Sequence, residues 1–406
     1  MKRHNFARAT GLALLVAIGG VTILDRPTEA QSGAPVYRNV PLWPRPFVDD
    51  SWVLGSVTGV ATDAQNNVWV AHRGNESLEA NERGMIPVPG GQGQPSSSVC
   101  CMAAPFILQY DPSGKLIGSW GGASSGYQWP QATGGIAVDA KGNVWITAAG
   151  LEPNPTPAGR GRGGAPPADG GGRGGRGAAA PPEPPPADAH VLKFSRDGRY
   201  MMTIGTPGKM DGADSQTTLN RPSAVAYDAA ANEVFIADMG NRRIVVFDAD
   251  KGTYKRHWAG SGSPFSDVTC VEIARDGMVY VCDKSNNRIQ VFDKSGKFVK
   301  EGYVAKSTGG GIIAGSFGVI NAKGSVWDVA LSNDQAQRFL FVADGMNKKV
   351  RILNRDTLTE AGTIGSGGRY PGQFLVVNSV AVDSQGNLYT GETHHGKRVQ
   401  KFVPGK

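Results

Sequence analysis

The chain has 406 residues, of which 57 are glycine and 26 are proline, and its formal net charge is +7. Its apolar fraction of 40% suffices for a hydrophobic core and excludes wholesale disorder, while a mean hydropathy of −0.27 with one short apolar run excludes a polytopic membrane protein. Four cysteines exclude a disulfide-dense mini-scaffold, and so mild a positive charge does not by itself indicate a nucleic-acid partner.

The first thirty residues have the pattern of a secretory signal peptide. Three basic residues, Lys2, Arg3 and Arg8, precede an apolar stretch over 9–24, and the segment ends at Ala30. We predict cleavage after Ala30, a periplasmic or secreted mature chain and no membrane span after cleavage. An uncleaved anchor is the alternative, although the apolar stretch is short for a span. Export argues against nucleic-acid partners and permits disulfides.

A repeated unit occupies most of the remaining chain. Each copy is a β-rich run, a polar turn and a second β-rich run, as in FIADMGNRRIVVFD from Phe235 and YVCDKSNNRIQVFD from Tyr280. Compact copies recur roughly every 48 residues, a period typical of propeller blades. The anchor residues of the six units are Asp63, Asp139, Asp228, Asp276, Asp334 and Asp383. The pattern predicts an all-β, six-bladed β-propeller over 57–403 with four antiparallel strands in each blade.

Three further segments complete the domain organisation. The N-terminal segment 31–56 is expected to supply the strand that closes the ring, near 36–48. Residues 150–187 are dominated by glycine and proline and are predicted to be a disordered insertion within blade two. A second insertion over 75–99 is longer than a hairpin needs and is expected to lie on the loop face.

The repeated units resemble NHL repeats from about Val57 to Phe402. The segments WVAHRG at Trp69–Gly74, CDKSNNRIQVF from Cys282 and SVWDVALS from Ser325 also resemble peptidyl-α-hydroxyglycine α-amidating lyase and its exported bacterial relatives. That resemblance implies a zinc ion held by three histidines at the starts of innermost strands. It also implies a calcium-binding aspartate beside the last histidine, and a tyrosine and an arginine beside the substrate.

The family's zinc ligands are replaced in this chain. Gly134, Thr269 and Asn378 stand where the three histidines belong, and Ser379 takes the place of the calcium aspartate. The turn that carries the family's tyrosine reads Met239-Gly240. Glycine has no ligand atom, and threonine and asparagine are poor zinc ligands. We therefore predict that tightly bound zinc is absent and we predict no resident cofactor, with calcium left open.

The arginine of the family pattern is retained as Arg73, and Lys284 takes the place of a second arginine. The alternative for Arg73 is a structural ion pair with a nearby carboxylate such as Glu76 or Asp63. The positions equivalent to the family site converge on one mouth of the channel, and we predict that they bind a small anionic ligand or a protein. The predicted ligand-binding residues are His72, Arg73, Thr269, Lys284, Trp327 and Asn378. We expect a monomeric, non-catalytic binding module.

The alternative is an enzyme, either a metal-dependent lyase of the peptidylamidoglycolate lyase type or a calcium-dependent hydrolase with a rearranged site. Asp328 and Asn378 are the weak calcium candidates, because both offer oxygen atoms at the starts of inner strands. Two oxygen ligands are too few to define a calcium site.

Recurring acidic residues end the second strand of several blades, at Asp238, Asp283, Asp344 and Glu392. Recurrence favours a folding role, in which each carboxylate accepts hydrogen bonds from turn amides and from a nearby cation. The expected cations are Arg243, Arg288 and Lys349.

The cysteines form two pairs. If Ala274 pairs with Met278 across the turn between two strands, Cys270 lies directly opposite Cys282. Directly opposed antiparallel residues are close enough for a disulfide, and two buried free thiols are the alternative. Cys100 and Cys101 are adjacent, and we expect them to be buried rather than redox-active.

Overall fold

Six four-stranded antiparallel sheets surround a central channel in the computed structural model of the protein. The structure describes residues 33–79, 81–83, 85–86, 94–95, 101–150, 188–315 and 318–405. Residues Ala34–Lys406 belong to one unit. The predicted all-β, six-bladed propeller is confirmed. The predicted signal peptide and nearly all of the 150–187 insertion lie outside the described residues.

Strands account for almost all of the regular structure. In chain order they are β1 (Tyr37–Val40), β2 (Trp52–Val53), β3 (Val57–Thr62), β4 (Val68–His72), β5 (Met85–Ile86), β6 (Gln94–Pro95), β7 (Met102–Ala103), β8 (Ile107–Tyr110), β9 (Leu116–Trp120), β10 (Thr133–Val138), β11 (Val144–Ala148), β12 (His190–Phe194), β13 (Tyr200–Gly205), β14 (Pro222–Asp228), β15 (Glu233–Asp238), β16 (Arg243–Asp248), β17 (Tyr254–Ala259), β18 (Val268–Ile273), β19 (Val279–Asp283), β20 (Arg288–Phe292), β21 (Phe298–Tyr303), β22 (Gly310–Gly315), β23 (Gly318–Lys323), β24 (Asp328–Leu331), β25 (Phe339–Asp344), β26 (Lys349–Asn354), β27 (Glu360–Ile364), β28 (Val377–Val382), β29 (Leu388–Glu392) and β30 (Arg398–Pro404). The described helices are single 3₁₀ turns over Asn75–Ser77, Met239–Asn241 and Lys284–Asn286, and none is long and apolar enough to cross a bilayer.

Each blade begins with its innermost strand, and five of the six then follow chain order outward. These blades are β3-β4-β8-β9, β10-β11-β12-β13, β14-β15-β16-β17, β18-β19-β20-β21 and β24-β25-β26-β27. In blade six the N-terminal strand β1 adds to the outer side of β30, so that both ends of the chain share one sheet. This strand lies inside the segment expected to close the ring.

The anchor aspartates organise the turns between first and second strands. Asp63 accepts hydrogen bonds from the backbone N–H groups of Gln65 and Asn67, both at 2.9 Å, and from the Trp69 indole at 3.1 Å. The same pattern joins Asp139 to the Trp145 indole at 3.1 Å. Each turn therefore satisfies its own backbone donors, which explains why the repeat requires an aspartate at this position.

Cys270 and Cys282 are directly opposed in the β18–β19 ladder and form a disulfide, with their Cα atoms 4.9 Å apart. This is the register expected from the intervening turn, and the alternative of two free thiols is wrong. Cys101 is also disulfide-bonded and is only half-buried, so the expectation of buried packing is wrong at that position. Cys100 lies outside the described residues.

Candidate binding site at the channel mouth

The innermost strands share an irregularity at the end of the channel where they begin, here called the mouth. In five blades the register shifts just after the first residue of the strand. Such a bulge re-aims the side chain of the extra residue. The residues at these places are Thr58, Gly134, Ser223, Thr269 and Asn378, and Trp327 takes the corresponding place before β24 in blade five. Three of them are the positions of the family's zinc histidines.

The bulge side chains link neighbouring blades. The Ser223 hydroxyl donates to the Val268 carbonyl at 2.6 Å, and the Thr269 hydroxyl donates to the Val326 carbonyl at 3.2 Å. The Asn378 amide donates to the carbonyl oxygen of Thr58 at 3.4 Å, across the junction of blades six and one. Thr269 and Asn378 therefore have a structural role in this chain, because each joins its blade to the next.

The residues present do not fit the zinc ion that the family resemblance implies. A Cβ atom added at Gly134 would lie 2.3 Å from Thr147 Oγ1 and 2.8 Å from the Ala149 Cβ, so a larger side chain cannot enter without displacing both. The Thr269 hydroxyl is engaged with a backbone carbonyl, whereas Asn378 Oδ1 is buried without a hydrogen-bond partner among the described residues, and one amide oxygen is a poor ligand for zinc. Among the described residues, no group of three His, Cys, Asp or Glu side chains could hold a metal ion.

The central channel is a cavity of about 380 Å³ whose wall includes Thr269, Trp327 and Asn378. The structure thus brings together these three predicted residues. Lys284 follows β19 at the same end, and its ammonium lies 4.8 Å from the centre of the Trp327 ring. Its residue is 8% exposed, and among the described residues it forms no ion pair and no side-chain hydrogen bond. The Trp327 indole donates to the Gly324 carbonyl at 2.9 Å, which fixes the ring beneath the ammonium.

His72 does not present a surface to a ligand. Its side chain is fully buried, Nε2 donates to the Pro105 carbonyl at 2.8 Å, and Nδ1 accepts from the Gly55 N–H at 3.2 Å. Burial lowers the pKa of His72, so that the ring is neutral. The structure therefore removes His72 from the predicted ligand-binding set, because its ring positions the backbone that leads to Arg73. The Arg73 side chain is half-buried.

The pKa of His394 depends on the charged side chains around the mouth. The place of His394 in a tight turn of the sequence did not indicate this. Burial, followed by the positive charges of Arg73, His395, Lys284 and Lys397, lowers the pKa of His394 to about 4. His395 lies 3.1 Å from Glu79, and Lys397 pairs with Glu82. Several basic side chains thus lie near this end of the channel.

The recurring carboxylates around the mouth are neutralised within their own blades. Asp238 pairs with Arg243 and Asp283 with Arg288, each at 2.8 Å, and Glu392 pairs with Arg398. Asp344 pairs with Arg351 at 2.6 Å, so the expectation of Lys349 is wrong. Side chains alternate along a strand, so Arg351 lies on the same face as Lys349 and its longer, planar group reaches the carboxylate. These residues hold the blades and are not a ligand site.

Two carboxylates line the channel below the mouth. Asp328 accepts from the backbone N–H groups of Val329 and Val380, both at 2.9 Å, and so links blades five and six. Glu272 lies on β18 and forms no hydrogen bond or ion pair with another described residue. Burial raises the pKa of Asp328 to about 7, and burial followed by the charge of Asp328 raises the pKa of Glu272 to about 8.

Sequence reasoning missed Glu272, although the repeat contains the signal. The equivalent position of every other blade is alanine, and each of these residues pairs with an aromatic residue on the second strand. The six pairs are Ala61–Trp69, Ala137–Trp145, Ala226–Phe235, Glu272–Tyr280, Ala330–Phe341 and Ala381–Tyr389. All six first-strand residues line the channel. Alignment of the repeats by this aromatic partner reveals one acidic residue in a ring of alanines.

Comparisons with known proteins place the chain near two groups. It is 25% identical over 234 residues to human NHL repeat-containing protein 3. The aligned region covers 53% of this chain and 58% of that protein. It is 23% identical over 369 residues to peptidyl-glycine alpha-amidating monooxygenase B of Xenopus laevis, covering 87% of this chain and 34% of that protein. The chain is related in sequence to both.

A rat peptidylglycine alpha-amidating monooxygenase is similarly 23% identical over 278 residues, covering 64% of this chain and 22% of that protein. The chain thus spans less than two thirds of the length of these relatives, and no family profile matches it. Among solved structures, a catalytically inactive virginiamycin B lyase from Staphylococcus aureus with quinupristin superimposes with a TM-score of 0.45 and 11% identity, covering 91% of this chain and 88% of that one. A streptogramin B lyase superimposes with a TM-score of 0.44 and 11% identity, covering 92% and 98%.

Proposed function

We propose that this propeller is an exported, non-catalytic binding module that holds a small carboxylate-bearing ligand at the mouth of its channel. The proposal depends on Lys284. The Lys284 residue is 8% exposed, and its ammonium lies over Trp327 without an anionic partner among the described residues. An arriving carboxylate would therefore gain a charge-assisted hydrogen bond to an ammonium that no described carboxylate neutralises.

The surroundings of Lys284 support an anionic ligand. Arg73 and Lys284 both contribute to the positive field that lowers the pKa of His394. A positive field at the opening of a concave site attracts anions and raises their association rate. The Trp327 ring offers an apolar surface beside the ammonium, and the channel of about 380 Å³ is large enough for a small organic molecule.

The replacement of the family's zinc ligands supports a binding role over catalysis. The three positions that would carry histidines hold Gly134, Thr269 and Asn378, and two of these donate hydrogen bonds to neighbouring blades. Export is proposed from the basic, apolar and small-residue pattern of the first thirty residues.

The proposal is tested by calorimetric titration of the purified chain with hexanoate, using hexanamide as the neutral control. We expect hexanoate to bind and hexanamide to bind far more weakly. Lys284→Met should weaken hexanoate by about 1.5–3 kcal/mol, the usual range for a hydrogen bond to a charged group. Lys297→Met, which removes an exposed lysine from the turn between β20 and β21, should leave the affinity unchanged. Equal affinities for hexanoate in wild type and Lys284→Met would contradict the proposal.

The alternative that the protein is an enzyme predicts a tightly bound metal ion. A metal-dependent lyase or a calcium-dependent hydrolase would retain an equivalent of zinc or calcium through dialysis, because catalytic metals are held by several protein ligands. We expect less than stoichiometric zinc in the purified mature chain. One equivalent of zinc would support the alternative. Retained calcium that is lost in Asp328→Asn would point to the hydrolase form.

A further inference from the structure

The mouth of the channel and the wall below it carry opposite charge. The basic side chains Lys284 and Arg73 lie at the mouth, and their positive charges lower the pKa of His394. Below the mouth the wall contains the carboxyl groups of Glu272 and Asp328. None of the described residues that line the channel is a lysine, an arginine or a histidine. The acidic region therefore has no cation among the described wall residues to neutralise it.

Glu272 takes the place of the alanine found in the other five blades, and it makes this part of the channel wall acidic. Alanine at the other five positions keeps the channel open without adding charge. The carboxyl group at Glu272 lies against that apolar ring and makes no hydrogen bond or ion pair with a described residue. Glu272 is half-buried, and its carboxyl group lines the channel without a described residue that would neutralise it. A ligand cation is the partner that the site lacks.

The separation of the two charged regions follows from strand geometry. Glu272 lies three residues further along β18 than the bulge residue Thr269, which corresponds to about 10 Å at roughly 3.3 Å per residue. Asp328 lies one residue beyond Trp327 and is therefore between the two levels. Between them the wall includes Val271 and Val329, which are buried between the blades and add no charge to the channel. An extended aliphatic chain fits this interval.

We infer that the ligand is a linear zwitterion, with its carboxylate at Lys284 and Arg73 and its ammonium group between Asp328 and Glu272. This inference rests on the proposed anion site and names the class of molecule that the site accepts, which is that of the ω-amino acids. Binding would at once pair the two charges, Lys284 and Glu272, that have no ionic partner among the described residues. An anion without an amine would leave Glu272 unpaired, and an amine without a carboxylate would leave Lys284 unpaired.

Three probes of equal length test the inference, namely 6-aminohexanoate, hexanoate and hexylamine. Each is titrated calorimetrically into the full chain in chelator-containing buffer at about pH 8, where alkyl amines remain protonated. We expect 6-aminohexanoate to bind at least about tenfold more tightly than hexanoate, and hexylamine to bind more weakly than 6-aminohexanoate.

Variants assign each charge of the ligand to a protein group. Glu272→Gln should abolish the advantage of 6-aminohexanoate over hexanoate while leaving hexanoate unchanged. Glu272→Ala restores the residue of the other five blades, so it is expected to fold, and it should behave in the same way. Lys284→Met should weaken both acids by a similar factor.

The outcomes separate this inference from the proposed function. Equal binding of hexanoate and 6-aminohexanoate would overturn the zwitterion and leave the anion site intact. Failure of hexanoate to bind in a Lys284-dependent manner would overturn both. Retention of the tenfold advantage in both Glu272 variants would overturn the assignment of the ammonium to this region.

Discussion

Charges that recur in four of the six blades and charges that occur in one blade have different surroundings in this propeller. Asp283 ends β19 at the mouth, recurs around the ring, and is paired with Arg288 at 2.8 Å within its own blade. The next residue, Lys284, is buried above Trp327 without an anionic partner among the described residues. Glu272, further along the channel, replaces an alanine that the other five blades share and has no described partner.

The contrast separates residues that build the blade from residues that are available to a ligand. A charge required in several repeats must be neutralised by the repeat itself, because burial of an unpaired charge would destabilise each of those blades. A charge present once is tolerated as a local cost, and such costs concentrate at functional sites. In this chain the recurring acidic residues are structural, whereas the charges that occur only once lie at the channel.

Removal of a recurring cation is expected to have the largest effect. Arg288→Met leaves Asp283 buried and unpaired and also removes the bond to Glu301, so the free energy of unfolding should fall by about 3–5 kcal/mol. Lys284→Met, at a comparably buried cation without a described anionic partner, should cost far less. Urea unfolding of the two variants measures the difference. A loss below about 1 kcal/mol for Arg288→Met would erase the distinction between the two classes.

Replacement of the isolated acid is expected to change stability in the opposite direction. The pKa of Glu272 is raised to about 8 in the fold, and Asp328 from β24 and Tyr227 from β14 are the other titratable groups lining its channel. Because the pKa of Glu272 is higher in the folded state, the folded protein is favoured fully below the unfolded-state pKa of this group. That part of the free energy of unfolding is lost as the pH rises to about 8. Glu272→Gln should therefore match wild type near pH 4. Near pH 8 it should be more stable by a few kcal/mol, because a tenfold change in proton affinity corresponds to about 1.4 kcal/mol.

Urea unfolding at a series of pH values measures this prediction, with the wild type as the reference at each pH. A stability difference that does not change between about pH 4 and about pH 8 would show that the Glu272 carboxyl group is solvated in the folded chain.

Arg73 provides the smallest effect on folding and a clear effect on binding. Arg73→Ala should weaken hexanoate by about 1.5–3 kcal/mol while changing the free energy of unfolding little. Arg199→Ala is the matched control, because Arg199 is 81% exposed and pairs with the similarly exposed Asp197. Calorimetry and urea unfolding are measured on both variants. An Arg73→Ala protein that unfolds, or one that binds normally, would place Arg73 among the structural residues.

The fold was predictable because its determinants are local and repeated. An aspartate such as Asp63 fixes a turn through bonds to residues at most six positions away, and that pattern is visible six times in the sequence. The register that joins Cys270 to Cys282 follows from the turn between their strands. The strand β1 was placed correctly because ring closure requires an additional strand in blade six.

The site was only partly predictable, because its chemistry depends on residues from different blades. Trp327 and Lys284 are recognisable from the family pattern, but their contact joins blade five to blade four and cannot be derived from spacing. His72 matched the pattern, yet backbone groups saturate its ring and bury it. Glu272 lies in the middle of its strand, so a pattern that compares only the starts of strands does not detect it.

The most direct test of the account is a crystal structure of the protein with 6-aminohexanoate. We predict that the ligand is extended along the channel. Its carboxylate should lie within hydrogen-bonding distance of the Lys284 ammonium, and its amine within the same distance of the Glu272 carboxylate. A ligand bound in the reverse direction, or bound only outside the channel, would contradict the account.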